Sequence, residues 1–376
     1  MIRTAFFRRY LLPGFVFQSV VIAGGYGTGR ELAEFFLTYG PLGGILAMLL
    51  VSTVIWSAVC AASYEFARVF RSYDYRSFFT HLMGRGWFLY EVGYFALLAI
   101  ILAVIAAAAG SILQETFALP YAAGVLGIMT AVGFLVFRGS TTIARVLATW
   151  SFVLYAVYII LVIWSVAEFG PEIRAAFAGG EAGAGWLVGG VRYAAYNLAI
   201  IPAVFFALRD VETRRQAIGA GLLTGPIGIM PAALFFIAMS AHYPAILERP
   251  VPANFILEAL GSRALQLAYQ VVLFGTLIET GTALIHAVNE RIAAAYLIRG
   301  RVMPNFFRPI SAVILLVAGA LLSGFGLIEL IARGYGTLTW FFLVIFVIPI
   351  LTWGIFLIRA ASKGAAEMAI AAGPTA

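Results

Sequence analysis

Long apolar runs, separated by short segments rich in arginine, proline and glycine, recur along the whole of this chain. A helix that crosses a membrane needs about 20 mostly apolar residues to span roughly 30 Å of hydrocarbon. The pattern therefore predicts ten membrane spans, at 13–38, 42–68, 87–114, 119–137, 144–168, 186–208, 217–240, 264–290, 309–327 and 338–359. Two connections are also expected to be helical: 72–85 as a short interfacial segment, and 252–260 as a short external helix that begins with proline.

The composition agrees with an all-α integral membrane protein. Of the 376 residues, 63% are hydrophobic and 11% are charged, and the mean hydropathy is +0.99. A soluble domain carries about 25% charged residues, so this chain cannot cover itself with a water-compatible surface. The net charge of +7 does not indicate a nucleic-acid partner, because the arginines stand between apolar segments and form no basic helix face.

The basic residues predict how the chain is oriented in the bilayer. If the N-terminus is cytoplasmic, most of the 24 lysines and arginines fall in cytoplasmic segments, as the positive-inside rule requires. Both ends are then cytoplasmic, and the membrane is the bacterial inner membrane. The first apolar stretch follows Arg3, Arg8 and Arg9 and so resembles a signal peptide, but no small-residue cleavage site follows it. We therefore expect it to be retained as the first span.

Ten spans divide into two sets of five. Because five is odd, the second set enters the membrane upside down relative to the first, which gives an inverted repeat. The predicted organisation is a cytoplasmic N-terminus (1–12), a first repeat (13–168), an external loop (169–185), a second repeat (186–360) and a cytoplasmic tail (361–376). In such repeats the substrate site lies near the midplane, where corresponding helices are interrupted. Spans one and six are therefore expected to be discontinuous.

Span one contains four glycines within the seven residues 23–29. An interior glycine weakens a helix by about 1 kcal/mol relative to alanine, and non-helical backbone at this depth is tolerated only where protein or a water-filled cavity surrounds it. The run therefore predicts an unwound segment that binds substrate. The alternative is a small-residue packing face, since Gly25 and Gly29 form a GxxxG pattern. The candidate substrate-binding residues in this span are Gly24, Gly25, Tyr26, Gly27, Thr28 and Gly29.

Span six carries polar groups at its centre, followed by a proline. Tyr193, Tyr196 and Asn197 lie mid-membrane, and Pro202 follows shortly after them. Proline removes one helical hydrogen bond and disturbs the preceding turn, so carbonyl groups near Leu198 could be freed. The two tyrosines and the asparagine are therefore candidates for shaping the substrate pocket. The alternative is an ordinary proline kink with an aromatic packing pair.

Ionisable side chains within the spans are candidates for ion coupling, since each costs at least ~2.5–3.5 kcal/mol at mid-membrane. Glu31 follows the glycines directly, and Glu279 and His286 lie in span eight. Either of the span-eight residues could titrate during a transport cycle. Arg30 and Glu34 are spaced i, i+4 and are expected to form an ion pair with a structural or gating role. An alternative is that Glu279 pairs with Arg30.

Three runs resemble the YkvI family of bacterial membrane proteins: GGYGTGRELAEFF in span one, YAAYNLA in span six and GLIELIARGYGTLT before the last span. That family belongs to the amino acid–polyamine–organocation superfamily with the LeuT fold, and the resemblance covers nearly the whole chain. It implies about ten helices in a five-plus-five inverted repeat. The chain departs from the family in one place: Arg30 precedes Glu31 where the family tends to have glutamine, which leaves the substrate open.

The resemblance also implies a possible sodium site. In the LeuT fold, helix eight flanks helix one and supplies hydroxyl ligands, so Thr280 or Thr282 could bind sodium together with backbone carbonyls near Ala23. Two positions that are two residues apart on a regular helix do not face one point, so one threonine at most is expected to contribute. Sodium and proton coupling remain alternatives, and no other cofactor is expected.

The sequence therefore favours a secondary active transporter that couples symport of an amino acid, or a similar small zwitterionic solute, to sodium or protons. The half-helix N-termini at the two interruptions would bind the solute's carboxylate. The alternatives are a ligand sensor or receptor with the same fold, and a passive facilitator. An enzyme is not expected, because His81, His242 and His286 are widely separated and show no metal-binding or triad spacing. The oligomeric state, the substrate and the direction of transport stay open.

The predicted topology can be tested with reporter fusions. Fusions at Lys363 and near Arg214 are expected to report a cytoplasmic location, and a fusion near Ala182 an external one, because the arginine-rich connections lie inside. Paired alkaline phosphatase and fluorescent-protein reporters measure this directly. A C-terminus outside the cell would mean an odd number of spans and would contradict the five-plus-five arrangement.

Overall fold

The computed structural model describes residues 4–22, 24–138, 141–298 and 300–362. These residues are almost entirely helical, and none of them forms a β-strand. By length and apolar composition alone, six of the described helices could cross a membrane, or eight if each of two bent helix pairs counts as one span. The chain is therefore a multi-pass α-helical membrane protein.

The helices are labelled here in chain order. They are α1 (Leu12–Val21), α2 (Arg30–Phe35), α3 (40–70), α4 (Tyr75–Met83), α5 (Trp87–Phe117), α6 (Tyr121–Arg138), α7 (Thr141–Glu168), α8 (Gly170–Ala178), α9 (Trp186–Leu198), α10 (Ile201–Leu208, a 3₁₀ helix), α11 (Arg214–Ser240), α12 (Pro252–Ala259), α13 (Arg263–Ile298), α14 (Phe307–Leu322) and α15 (327–362).

The ten predicted spans correspond to these helices in order. Span one is divided into α1 and α2, and span six into α9 and α10, which meet at an angle of 58°. Each of the other spans is one helix, although the apolar part of span four, Tyr121–Phe137, is short for a full crossing. The five-plus-five order and the discontinuity of helices one and six are thus confirmed. The predicted helices at 72–85 and 252–260 are present as α4 and α12.

Two segments are more helical than the sequence predicts. The last helix begins at Leu327 instead of residue 338, and Arg333, which lies between predicted spans nine and ten, stands on its surface. There Arg333 pairs with Glu329 one turn earlier, at 2.7 Å, so the charges that suggested a loop are accommodated on the helix. The predicted external loop 169–185 contains α8, which follows α7 after a bend of 77°. The tail beyond Ser362 lies outside the described residues.

Glycines allow α3 and α11 to pack closely. A methyl group at Gly221 would collide with the backbone of Cys60 and Ala61, and one at Gly225 would collide with Ser57. Small residues one turn apart are the usual means of close approach between membrane helices, because lipid supplies no hydrophobic driving force between them. The Ser57 hydroxyl also donates to the Leu222 carbonyl at 2.9 Å across this contact. Helix two of the first repeat is thereby held against its counterpart in the second.

Polar side chains connect α9 to its neighbours. Ser52 on α3 donates to the carbonyl of Gly190 at 2.9 Å, and the Trp56 indole donates to that of Ala194 at 3.2 Å. Thr339 on α15 donates to the carbonyl of Arg192 at 2.9 Å. Each of these bonds joins the first part of the interrupted helix six to another helix. They hold α9 in place while the chain changes direction after it.

The close approach of α3 and α11 predicts opposite effects for two similar substitutions. Gly221→Ala is expected to lower the free energy of unfolding by about 1–3 kcal/mol, because the added methyl group must displace backbone. Gly127→Ala is the control: nothing lies within 4 Å of the added methyl group, so helix propensity should raise stability by up to about 1 kcal/mol. Thermal unfolding of both variants in detergent measures the difference, and equal behaviour would contradict the packing described here.

Candidate functional site

The first interruption lies between α1 and α2. Helix α1 ends at Val21, residues Gly24–Gly27 form a single turn, and Gly29 has a positive φ of 80°. A positive φ is readily adopted by glycine, so Gly29 allows the chain to change direction before α2 begins at Arg30. Ala23, a predicted sodium ligand, lies outside the described residues. Gly24 opens the single turn at the start of the interruption.

Four backbone carbonyl groups at this interruption are bound by donors of the protein itself. Unpaired carbonyl groups at membrane depth cost several kcal/mol each, so an unwound segment needs partners. The donors come from the segment itself, from α13 and from α12. The bonds are Thr28 hydroxyl to Gly25 carbonyl (2.7 Å), Gly29 N–H to Tyr26 carbonyl (2.9 Å), Tyr269 hydroxyl to Gly27 carbonyl (2.6 Å) and Ala253 N–H to Thr28 carbonyl (2.9 Å). The interruption is therefore held by specific hydrogen bonds from the rest of the fold.

The second interruption lies between α9 and α10. Helix α9 ends at Leu198, and Pro202 lies in the first turn of α10. The Tyr90 hydroxyl on α5 donates to the carbonyl of Ala199 at 2.7 Å, which satisfies an acceptor at the bend. The Asn197 side chain donates back to the Tyr193 carbonyl at 3.0 Å. Asn197, a predicted pocket residue, is thus engaged with its own helix.

Glu31 joins the two interruptions. It stands in the first turn of α2, is 3% exposed, and its carboxylate lies directly against Gly25, where any side chain would collide with it. The Tyr196 hydroxyl on α9 donates to Glu31 Oε2 at 2.5 Å. A buried carboxylate is costly unless it is hydrogen-bonded, protonated or paired with a cation. Glu31 therefore places a titratable carboxyl group at the point where the two interrupted helices meet.

Four tyrosines around this carboxylate form what we call the phenol cluster: Tyr26, Tyr193, Tyr196 and Tyr335. All four are at least 96% buried. Tyr196 stacks on Tyr335 with ring centroids 4.6 Å apart, and Tyr193 meets Tyr196 edge-on at 5.8 Å. The Tyr193 hydroxyl has no hydrogen-bond partner among the described residues. Tyr335 was not among the predicted site residues, although it lies in the third run that resembles the YkvI family.

Arg30 contacts groups other than Glu31 and closes one side of the site. Its guanidinium pairs with Glu34 at 3.2 Å, as predicted, and also donates to the carbonyls of Leu247 at 2.6 Å and Arg249 at 3.2 Å. These carbonyls belong to the segment between α11 and α12. Together with the Ala253 bond to Thr28, they hold that segment over the first interruption. The alternative pairing of Arg30 with Glu279 does not occur.

The predicted ion-coupling residues of α13 are divided between two cavities. Glu279 and Thr280 line a cavity of about 400 Å³ that also touches Ser19 and Ile22 of the first interrupted helix. Thr282 and His286 line a separate cavity, and the Thr282 hydroxyl donates to the Ile278 carbonyl at 2.7 Å. The structure thus brings Thr280, but not Thr282, next to helix one.

The fold and the site define a multi-pass membrane protein with a LeuT-like arrangement of helices and a buried carboxylate between its two interrupted helices. A relative and several solved structures share features with it. Over 288 residues, covering 74% of this chain and 79% of the relative, the chain is 22% identical to the uncharacterized membrane protein YkvI of Bacillus subtilis. No family model matches the chain.

The solved structures that resemble the chain are those of a manganese transporter of Eremococcus coleocola. The complex with an aromatic bis-isothiourea substituted compound superposes with a TM-score of 0.52 at 17% identity, covering 90% of this chain and 77% of that one. Two mutants of the same transporter give a TM-score of 0.50 at 15% and 16% identity, each covering 91% of this chain and 78% of theirs. At this identity the likeness concerns the fold.

The contact between Gly25 and Glu31 predicts a measurable coupling. Gly25→Ala should displace the carboxylate and destabilise the protein, whereas the same change in a Glu31→Ala background should cost much less. The coupling energy from unfolding of the two single variants and the double variant is expected to be about 0.5–3 kcal/mol. Gly27→Ala is the matched control, because its methyl group meets only the end of the flexible Leu273 side chain. Additive effects at Gly25 and Glu31 would contradict the placement of the carboxylate.

Proposed function

We propose that this protein is a secondary active transporter of the amino acid–polyamine–organocation superfamily that works by alternating access. It couples symport of an amino acid, or a similar small zwitterionic solute, to sodium or protons across the bacterial inner membrane, with both ends in the cytoplasm. The observation that carries the proposal is the Tyr196 bond to Glu31. This bond joins the two interrupted helices where inverted-repeat transporters bind their substrates, and a bound substrate would replace it.

The position of Glu31 decides which end of the solute meets the first interruption. The sequence alone favoured binding of the solute's carboxylate by half-helix N-termini. However, a carboxylate already lies against Gly25, and a second one there would be repelled. We therefore assign the solute's ammonium group to Glu31. The Tyr193 hydroxyl, which is buried without a described partner, supplies a further polar contact for the solute.

Two sites could serve the coupling ion. A sodium ion would use Thr280, which lines the cavity beside helix one, and Thr282 would contribute little because it faces another cavity. Proton coupling would use Glu31 or Glu279, which are carboxylates within spanning helices. In either case the ion and the solute ammonium group would neutralise carboxylates that apolar surroundings penalise. The transport cycle would then expose the neutralised site alternately to the two sides of the membrane.

Transport of a metal cation is a second candidate, favoured by the resemblance in fold to a manganese transporter. Among the described residues, no three or more histidine, cysteine, aspartate or glutamate side chains lie close enough together to hold a metal ion. A divalent cation would therefore rely on Glu31 and on backbone or hydroxyl oxygen atoms. Such oxygen ligands suit hard cations, so manganese belongs in the same experiment.

Flux into proteoliposomes tests the proposal, and Glu31→Gln is the decisive variant. Substrates are first identified by thermal shift against amino acids, amines and Mn²⁺, with and without sodium. Glu31→Gln should raise the apparent Kd at least about tenfold, since hydrogen bonds to charged groups contribute about 1.5–3 kcal/mol, and should abolish accumulation against a gradient. Glu329→Gln is the control, because Glu329 pairs with Arg333 on the exposed surface of α15.

The two gradients distinguish the possible outcomes. Uptake driven by an imposed sodium gradient indicates sodium coupling, and uptake driven by a pH gradient indicates proton coupling. Uptake that follows neither gradient would favour a passive facilitator. Binding without any flux would favour a sensor or receptor, and accumulation of Mn²⁺ in place of organic solutes would establish the metal candidate.

A further inference from the structure

The cavity lined by Thr282 and His286 lies between α6, α13 and the start of α14. Its volume is about 320 Å³, and its polar lining includes His286, Asn289 and Arg308. Asn289 is 4% exposed and accepts a hydrogen bond from Ser311 at 2.5 Å on its side-chain oxygen. That bond leaves the amide nitrogen of Asn289 as a donor toward a ligand in the cavity. The polar lining therefore consists mainly of hydrogen-bond donors.

Arg308 supplies guanidinium donors to this cavity. One of its nitrogen atoms pairs with Glu290 at 2.9 Å, and both side chains are about half exposed. A guanidinium has five N–H donors, so the pair with Glu290 leaves others for an anion. His286 stands beside it and can donate from either ring nitrogen, depending on tautomer. Arginine, histidine and amide donors in one cavity fit a phosphate group.

An apolar groove continues from this cavity along α6 and α14. It has a volume of about 450 Å³ and shares Phe137 with the cavity. Its walls include Thr130, Gly133 and Val317, and Val317 is 51% exposed. In a spanning protein this surface faces hydrocarbon. The apolar groove is therefore suited to hold the acyl chain of a lipid whose headgroup lies in the cavity.

Aromatic residues lie next to Arg308 at the start of α14. Phe306 and Phe307 stack with ring centroids 4.7 Å apart, and Tyr296 lies 5.6 Å from Phe307. Tyrosine is enriched at membrane–water interfaces. A donor-lined cavity that adjoins an apolar groove matches both parts of one lipid molecule.

We propose that this cavity and groove bind an anionic phospholipid. The phosphate lies against Arg308, His286 and Asn289, and one acyl chain follows the groove between α6 and α14. Charge complementarity favours an anionic over a zwitterionic headgroup, as in other basic pockets between membrane helices. The site is separate from Glu31 and the phenol cluster, so the proposal does not depend on the transported solute.

Thermal shift and native mass spectrometry of the full-length protein test the headgroup. Lipid-depleted protein is titrated with phosphatidylglycerol, with phosphatidylcholine and with inorganic phosphate alone. We expect phosphatidylglycerol to raise Tm and to remain bound as one retained lipid, and the other two to have little effect. Equal effects of phosphatidylcholine would overturn the anionic assignment. An equal shift with inorganic phosphate would show a soluble-anion site and overturn the lipid assignment.

Variants with matched controls test the two parts of the site. Arg308→Gln should weaken phosphatidylglycerol binding about tenfold through loss of a charge-assisted contact. Arg333→Gln, which removes another glutamate-paired surface arginine, should leave it unchanged. Thr130→Trp should block the groove and release the retained lipid, whereas Val344→Trp, on an exposed position of α15, should not. Equal losses in variant and control, or full binding by both test variants, would refute the proposal.

Discussion

The structure depends on one constraint: backbone polar groups in hydrocarbon must find partners within the protein. An unbroken membrane helix meets this constraint alone, but the glycine run in helix one does not. Its carbonyl groups are bound by Thr28 of the same segment, by Tyr269 on α13 and by Ala253 of α12. The interrupted helix therefore requires α13 and α12 beside it. The arrangement of the helices and the presence of the interruption support each other.

The same constraint explains why Arg30 and Glu31, which are neighbours in sequence, have different roles. Arg30 has a carboxylate partner and two carbonyl acceptors, so its charge is compensated where it stands. Glu31, the next residue, has as its hydrogen-bond partner the neutral hydroxyl of Tyr196. A buried arginine that is already paired with a carboxylate has little to gain from a ligand, whereas a carboxylate whose described hydrogen bond comes from a phenol gains an opposite charge from a cation. The departure of Arg30 from the pattern of the YkvI resemblance thus affects the contacts that close one side of the site, and Glu31 remains the carboxyl group between the two interruptions.

The sequence was sufficient to predict what depends on local pattern. Apolar runs located the helices, and glycine and proline located the two interruptions, because both effects act within a few residues. The start of the last helix was missed because Glu329 and Arg333 suggested a loop, and the ion pair between them could not be anticipated without the helix. Tyr335 was missed for a different reason: its contact with Tyr196 joins distant parts of the chain. Likewise, the choice between Thr280 and Thr282 depends on how α13 is rotated about its axis, which the spacing alone does not fix.

The two sides of the site are closed by contacts of different strength. On the Arg30 side, the contacts are the buried Arg30 and the backbone bond from Ala253 to Thr28. On the other side, the segment before α1 is tied to the segment before α11 by Arg8 with Asp210 and Arg9 with Glu212, which are exposed or partly exposed pairs. Exposed ion pairs contribute about 0–1 kcal/mol each, whereas removing one partner from a buried charge costs about 3–5 kcal/mol. The conformation seen here is therefore held mainly by the Arg30 contacts. Opening on the Arg30 side must break these contacts, and a cation or solute at Glu31, one residue away, is well placed to offset that cost.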